Sequence, residues 1–278
     1  MKLYKTKKGI VLERDGVYFL MPGLDWDTWI NDDLVYSKLE QASAKLKPNR
    51  EALEYIQSAL EAPIQNQEIW ACGVTYIRSM VGRQEESKNS GGSDFYARVY
   101  EAERPEIFFK ATASRTVGHG EKVRIRKDST WDVPEPELTL VVTSSGKIIG
   151  YTIGNDMSSR SIEGENPLYL PQAKTYDGSA AVGPCILISE EPLSEDTLIQ
   201  IQINRGGREV FSGSVAINQI KRKLKDLVSY LYRETSFPFG CLVMTGTGIV
   251  PPNDFTLKKD DQICIHIQHI GTLINTVK

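Results

Sequence analysis

The stretch WDVPEPELTLVV, residues 131–142, sets two glutamates one residue apart at the entrance to an apolar run. Side chains two apart on a strand point the same way, so Glu135 and Glu137 share a face with Thr139 and Val141, about 7 Å from each other along the strand. Like charges that close repel and call for a counter-charge. Next come SSGK and a second apolar run, IIGYTIGND, which read as a hairpin turning at Ser145–Gly146. A two-residue loop at 145–146 and a four-residue loop at 144–147 give the same register, in which paired positions sum to 291. Carried outward, that register sets Asp156 opposite Glu135, about 5 Å away at Cβ and on the same face. Three carboxylates then converge at the open end of the hairpin, where Pro134 and Pro136 restrict pairing and a bulge can shift it. A hard divalent cation with oxygen ligands, Mg²⁺, Mn²⁺ or Ca²⁺, resolves the repulsion. Salt bridges to Arg160 and Lys174, or plain exposure at a sheet rim, are the alternatives.

The surrounding chain has 278 residues, 40% hydrophobic and 25% charged, which is the composition of an ordinary globular protein. Thirty-three basic side chains against 36 acidic ones leave a net charge of −3 and no basic stripe, so nucleic acid is not an expected partner. Cys72, Cys185, Cys241 and Cys264 are far apart, without the pairing of a zinc site, and read as small core residues. The start, MKLYKTKKGIVLERDG, lacks the apolar core of a signal peptide, and no run approaches a membrane span. The expectation is a reducing cytoplasm.

These residues must be positioned by a strand-rich body. Residues 1–65 read as a small α/β module, with a hairpin turning at Arg14–Gly16 and an amphipathic helix that Pro48–Asn49 starts and Pro63 ends, carrying Leu53, Ile56 and Leu60. Residues 66–278 read as the catalytic domain. IWACGVTY, 69–76, is a buried strand, and the polar segment 78–103 is a flap, a helix–loop–helix over a site, or a surface insertion. Helical spacing of Ile217, Ile220, Leu224, Leu227 and Leu231 predicts a helix over 215–233, with the run KRKLKD on its solvated face.

The ordered blocks EPELTLVV, GYTIGNDMSSRS, QAKTYDGSAAVGP, MTGTGIVP and GTLINTV resemble the fumarylacetoacetate hydrolase superfamily over roughly residues 69–278. The resemblance implies a fold that is α+β and mainly β, a β-roll or mixed β-sandwich behind the small N-terminal module, and a homo-oligomer, dimer or tetramer. It implies a divalent metal, usually Mg²⁺, on Glu135, Glu137 and Asp156, the three residues that spacing brings together. RPEIFFKAT, VGHGE, PEPEL and ENPLYLPQAK resemble a narrower branch, the 2-keto-3-deoxy-D-arabinonate dehydratases, lyases of sugar-acid catabolism. Family hydrolases carry a water-activating histidine shortly after an N-Y pair. Here the matching VTYIRSM has Ser79 and Met80, and His119, His266 and His269 lie elsewhere and read as structural or solvent-facing. The expected activity is therefore Mg²⁺-dependent dehydration of a 2-keto-3-deoxy pentonate. The rivals are C–C bond hydrolysis of an acylpyruvate-type diketo acid, keto-acid decarboxylation or tautomerisation, and a non-catalytic protein that binds metal or senses sugar acids.

That chemistry needs a base for the C3 proton and an acid for the departing C4 hydroxyl. Lys174 is the candidate base, since a nearby divalent cation disfavours its charged form; the alternative is a salt bridge to a carboxylate. Glu106, at the start of an apolar run, is the second acid/base candidate, with Lys110 a possible ion-pair partner. The TGTG loop, 245–248, offers the Gly246 backbone and the Thr247 hydroxyl to a substrate carboxylate, or is simply a glycine-requiring turn. Tyr76 and Arg78, at the base of the flap, are further substrate-contact candidates.

Overall fold

The computed structural model describes residues 1–21, 25–86 and 93–278. The chain opens with strands β1 (Lys2–Thr6), β2 (Gly9–Arg14) and β3 (Val17–Met21), then helices α1 (Trp26–Ile30), α2 (Val35–Lys45) and α3 (Glu51–Ala59). Strand β4 (Glu68–Gly73) leads into helices α4 (Ile77–Glu86) and α5 (Ser93–Glu101), after which β5 (Glu106–Thr112) returns beside β4. The short strands β6 (Thr116–Val117), β7 (Lys122–Val123) and β8 (Asp132–Val133) precede the hairpin of β9 (Pro136–Val142) and β10 (Ile148–Asp156). Then come β11 (Ser158–Ser159), α6 (Arg160–Glu165), α7 (Leu170–Lys174), β12 (Ala180–Ile188), β13 (Leu198–Arg205) and β14 (Arg208–Ala216). Helix α8 (Leu224–Leu231) and strands β15 (Cys241–Met244), β16 (Gln262–Ile267) and β17 (Gly271–Val277) complete the chain.

Among the described residues the strands form a large sheet, ordered β3-β2-β1-β12-β10-β9-β15-β4-β5 with β6 beside β12, a smaller one, ordered β14-β13-β16-β17-β7, and the short antiparallel pair β11-β8. The smaller sheet alternates along its strands, as Ile199, Ile201 and Ile203 point inward while Gln200 and Gln202 face out. Its inner face meets the large sheet, so that Leu138, Leu140, Ile153 and Val243 pack in one cluster with Ile201, Ile263, Ile265 and Leu273. Each such side chain contributes about 1.5–3 kcal/mol by burial. Strand β9 is covered on both faces, which is why it reads as an apolar run rather than an alternation. The architecture is the mainly-β α+β fold expected.

Several local expectations hold. Arg14 pairs with Val17 across a two-residue turn in which Asp15 and Gly16 have φ of 53° and 78°. The Asn49 side chain accepts the Glu51 backbone N–H at 2.8 Å at the start of α3, although Leu53 turns outward and Ala52 and Ala59 take the inner face. Cys72, Cys185 and Cys241 are free and buried, and Cys264 is half-buried. Two expectations are corrected. The strand at 69–76 ends at Gly73, and the helix over 215–233 shrinks to Leu224–Leu231. Residues up to Ala216 pair with β13, Ile217–Gln219 form one 3₁₀ turn, and the Lys221 N–H is taken by the Thr75 carbonyl at 2.9 Å, so no helix can start before that point. The segment 78–103 supplies the two helices α4 and α5, while its Ser-Gly-Gly stretch, 90–92, lies outside the described residues.

The β9–β10 hairpin carries the carboxylates in the expected register, by a route the sequence did not reveal. Near the turn, Thr143 N–H bonds to the Lys147 carbonyl and Ile148 pairs with Val142, a register one residue short of the expected one. A bulge between Ile148 and Gly150 adds the missing residue, and from Gly150–Val141 to Asn155–Pro136 the pairs follow the expected register. Glu135 and Asp156 then exchange two backbone hydrogen bonds, of 3.2 and 2.9 Å, and stand directly opposite each other. The turn is clamped from the N-terminal segment. Asp33 accepts hydrogen bonds from the Thr143 hydroxyl at 2.6 Å and the Ser145 hydroxyl at 2.8 Å, and Asn31 accepts the Ser144 N–H at 2.7 Å. Replacing Asp33 by Ala strands those hydroxyls and should cost about 1 kcal/mol, seen as a melting temperature lowered by a few degrees in calorimetry.

Candidate metal centre and its lysine

Glu135 comes from the entry to β9, Glu137 from β9 itself and Asp156 from the last residue of β10. All three are buried, at 5%, 1% and 1% exposure, and one carboxylate oxygen from each lies within 4.8 Å of the others. Two oxygens on opposite sides of a Mg²⁺ ion span about 4.2 Å, so a small closing motion gives three ligands on one ion.

The cluster also has the cationic partners that the alternative reading named. Arg160 Nη2 lies 2.6 Å from Glu135 Oε1. Lys174 Nζ lies 2.5 Å from Glu135 Oε2 and 2.9 Å from Asp156 Oδ2, and also donates to the Ser158 hydroxyl at 2.5 Å. Lys110 Nζ lies 2.5 Å from Asp156 Oδ1 and donates to the Met157 carbonyl at 2.9 Å. It is therefore the partner of Asp156 and not of Glu106, because its long stem carries the amine under the sheet toward β10. Glu137 differs from its neighbours. Its hydrogen bond among the described residues comes from the Gly246 N–H, at 2.7 Å. Burial, then Asp156 and Glu135, push its carboxyl well above the usual carboxylate range. A buried carboxylate with one amide and no cation is what an oxygen-seeking metal would satisfy, and the donor set is all oxygen, so the residues present fit Mg²⁺.

The neighbouring charges are set apart by environment. Burial alone would depress Lys174, but Asp156, Glu135 and Glu163 outweigh it and hold the amine above its ordinary value. These carboxylates keep Lys174 charged. Lys110 is shifted the other way, because burial outweighs the pull of Asp156. Burial would raise Asp156, yet Lys110 and Lys174 bring it below its ordinary value. Glu106 is raised by burial against the opposing pull of Arg83, and one of its carboxylate oxygens is buried without a hydrogen-bond partner. It faces Gly73 across the β4–β5 pair, where a Cβ would sit 2.1 Å from Glu106 Oε2, so only glycine leaves room for that carboxylate.

The remaining candidates divide. Gly246 and Thr247 line the cavity around the carboxylates. Gly246 has φ of 90°, and a Cβ there would meet Thr75 Oγ1 at 2.0 Å, so the glycine is required; its N–H serves Glu137 and is not offered to a substrate. The Thr247 hydroxyl accepts the Ile249 N–H at 3.2 Å within its own turn. Tyr76 is buried behind Gly248, its hydroxyl without a hydrogen-bond partner, and stands outside the cavity lining. Arg78 is half-exposed and pairs with Glu85 at 3.8 Å, away from the carboxylates. The flap arginine that does enter is Arg83, which lines the cavity with Ser79 and pairs with Glu163 at 2.9 Å. Tyr76, Ser79 and Arg83 are spaced three and four apart, the face of one helix, and that periodicity was the available signal. Glu163, three residues after Arg160, was visible only as half of a helical ion pair. None of the three histidines lines the cavity; His119 Nδ1 sits 2.9 Å from the Thr272 carbonyl as a structural contact.

A large sheet that presents three convergent carboxylates to a buried lysine, under helices that line the same cavity, defines a metal-site enzyme scaffold. The chain belongs to the fumarylacetoacetate hydrolase family, whose model, described as fumarylacetoacetate (FAA) hydrolase C-terminal, matches residues 75–278. It is 39% identical over 98% of its length to a probable 2-keto-3-deoxyxylonate dehydratase of Haloferax volcanii, covering 96% of that protein. It is 48% identical over 78% of its length to the 2-dehydro-3-deoxy-D-arabinonate dehydratase of Saccharolobus solfataricus, covering 73% of that protein. Among solved structures it is similar to a 2-keto-3-deoxy-D-arabinonate dehydratase complexed with magnesium and 2,5-dioxopentanoate, with a TM-score of 0.83, 36% identity, and coverage of 100% of this chain and 99% of that one.

Alanine at Glu135, Glu137 or Asp156 should abolish Mg²⁺ binding measured by titration calorimetry with the fold intact by circular dichroism. A second expectation concerns Asp132, on β8. Burial pushes it up to about 6 from an ordinary value of 3.8, against a hydrogen bond from Ser129 that pulls it down. The fold therefore tolerates its neutral form, so its contribution is present below the unfolded value and is lost as pH rises from 3.8 through about 6. Asp132→Asn should flatten the pH dependence of stability in that window by about 2 kcal/mol, measured by denaturant unfolding at pH 4 and 7.

Proposed function

We propose that this chain is a metal-dependent hydro-lyase that dehydrates a 2-keto-3-deoxy pentonate, of the 2-keto-3-deoxy-D-arabinonate type, to 2,5-dioxopentanoate in sugar-acid catabolism. The observation that carries it is the buried carboxylate cluster with Lys174 in direct contact, in a chain so similar end to end to a dehydratase seen with magnesium and that product. A divalent ion on Glu135, Glu137 and Asp156, Mg²⁺ first and Mn²⁺ or Ca²⁺ as alternatives, would supply a Lewis acid for the carboxylate and ketone oxygens of the keto acid.

The chain's own groups supply the proton transfers. Lys174 stays protonated while it faces Asp156, Glu135 and Glu163 together. With Glu135 and Asp156 shared with a cation that hold would weaken, and Lys174 is the group placed to take the C3 proton. Glu106, whose carboxyl burial raises above its ordinary value, is the group that gives a proton to the departing C4 hydroxyl, which leaves as water. The C3–C4 enone so formed loses a proton at C5 and regains one at C3, which leaves a C4–C5 enol; that enol takes a proton at C4 and releases its hydroxyl proton, giving the C5 aldehyde. Thr247 and the surrounding backbone are the surface for the rest of the substrate. Ser79 stands where family hydrolases place a histidine; it donates to the Tyr76 carbonyl at 2.8 Å, and no imidazole lines the cavity to activate water for C–C cleavage. The same reading takes the enzyme as a cytoplasmic homo-oligomer, dimer or tetramer. The free core cysteines suit a reducing compartment, and no helix among the described residues is long and apolar enough to cross a membrane.

Incubation with a panel of 2-keto-3-deoxy acids and Mg²⁺, with products identified by mass, tests the reading. Loss of 18 mass units from a pentonate, the mass of water, abolished by EDTA, is the expected result; a C–C cleavage product or released CO₂ would move the activity to the hydrolase or decarboxylase class, and no turnover at all would favour a sensor. Lys174→Met should abolish turnover while Mg²⁺ still binds. It should also stop deuterium washing into C3 of 2-oxobutyrate in D₂O, which has no C4 hydroxyl to lose. If exchange persists in that variant, Glu106 is the base, and Glu106→Gln should be the protein that loses exchange.

A further inference from the structure

We propose that Glu163 is a positioning residue that couples docking of the α4–α5 helix pair to the placement of the Lys174 amine. The inference rests on the dehydratase reading for its kinetic consequence, but its structural consequence can be measured without it.

The charged groups around the cluster are closed off from solvent. Arg83 is 5% exposed, Glu163 2% and Lys174 0%, so a substrate reaches Lys174 only if some element moves. The carboxylates cannot supply that motion, because β9 and β10 are hydrogen-bonded to neighbours on both sides. Helices α4 and α5 lie outside the sheet, with Ile77 and Phe95 on their solvent side at 62% and 58% exposure. The far end of α5 is tied to the segment before α8, where Lys221 Nζ reaches the Tyr100 carbonyl at 2.8 Å and Arg222 Nη2 the Val99 carbonyl at 2.9 Å. At the cavity end, Arg83 of α4 meets Glu163 of α6. The helix pair thus has an anchored end and an end held by a buried ion pair over the carboxylates.

Glu163 joins that ion pair to the reacting group. Its Oε1 lies 2.9 Å from Arg83 Nη1 and 3.5 Å from Lys174 Nζ, and its Oε2 lies 3.8 Å from Arg160 Nε. One oxygen is therefore shared between the arginine of the helix pair and the lysine of the site. Glu163 is not one of the three convergent carboxylates, so it remains beside Lys174 when Glu135 and Asp156 are engaged elsewhere. Undocking α4 removes Arg83 and leaves Glu163 free to swing toward Lys174 and Arg160; docking pulls it back and sets the amine. A buried pair broken on one side leaves an uncompensated charge, which makes the two arrangements discrete.

Amide hydrogen exchange on the full chain without added metal tests the docking arm. Glu163→Gln and Arg83→Met should each speed exchange across 77–86 by at least about tenfold while β9 and β10 stay at wild-type rates, and the double variant should be no faster than the faster single. Arg83→Lys, which keeps the charge, should stay within about threefold of wild type. In the kinetic arm, Glu163→Gln should lose about tenfold or more in kcat with Mg²⁺ affinity by calorimetry within about twofold of wild type. Wild-type protection of α4 in both single variants, additive effects in the double, or an unchanged kcat would overturn the proposal. If Glu163→Gln fails to fold, Arg83→Met is measured in its place, with the same expected losses in protection and kcat and the same overturning results. Wild-type protein that dehydrates none of the panel would sink the functional reading and leave the exchange result standing.

Discussion

The rest of this site depends on one electrostatic problem, the burial of three carboxylates against one another. Isolated carboxylates are strongly disfavoured in a protein interior, and placing two on one strand face with a third across the hairpin multiplies the cost. The protein answers by ringing them with long-stemmed cations from separate elements: Lys110 from β5, Arg160 from α6, Lys174 from α7. Glu135 and Asp156 are satisfied this way, and Glu137 is left with one backbone amide. A divalent cation would supply the counter-charge that Glu137 lacks, which ties the architecture of the site to the chemistry proposed for it.

Holding such a cluster requires a frame that cannot slip. A one-residue change in register turns every side chain to the opposite face. Here the register is set at both ends of the hairpin: at the turn by Asp33 and Asn31 of the N-terminal segment, and at the open end by the reciprocal hydrogen bonds of Glu135 and Asp156. The bulge at Ile149 reconciles the two. A small N-terminal element far in sequence from the site thereby helps to aim its ligands.

How much of this was legible in the sequence follows from the range of each interaction. The Glu135–Glu137–Asp156 cluster was readable because alternation and hairpin pairing are local rules, and the register survived an unseen bulge because a three-residue turn and one extra residue compensate. The Asp15–Gly16 turn and the Asn49 start of α3 were readable for the same reason. The partners of Lys110 and the roles of Arg83 and Glu163 were not, since each depends on where a long flexible stem ends after distant elements pack. Arg78, at the base of the flap, was the arginine the sequence pointed to; the helix instead carries Arg83 inward and Arg78 out to Glu85. The overlong helix at 215–233 failed because Ile217 and Ile220 have helical spacing but lie in a strand-to-turn corner whose backbone is committed to β13 and Thr75.

The most direct test of this electrostatic account is proton release on metal binding. Burial and its two acidic neighbours push the Glu137 carboxyl well above the usual carboxylate range, and a metal must displace the proton of the neutral form to use the oxygen. Calorimetric titration of the metal-free protein with Mg²⁺ near neutral pH, repeated in buffers of different ionisation enthalpy, counts the protons released. Binding accompanied by release of about one proton, with the release lost in Glu137→Gln, is the expected result. Failure to bind Mg²⁺, or binding with the same proton count in wild type and Glu137→Gln, would contradict it.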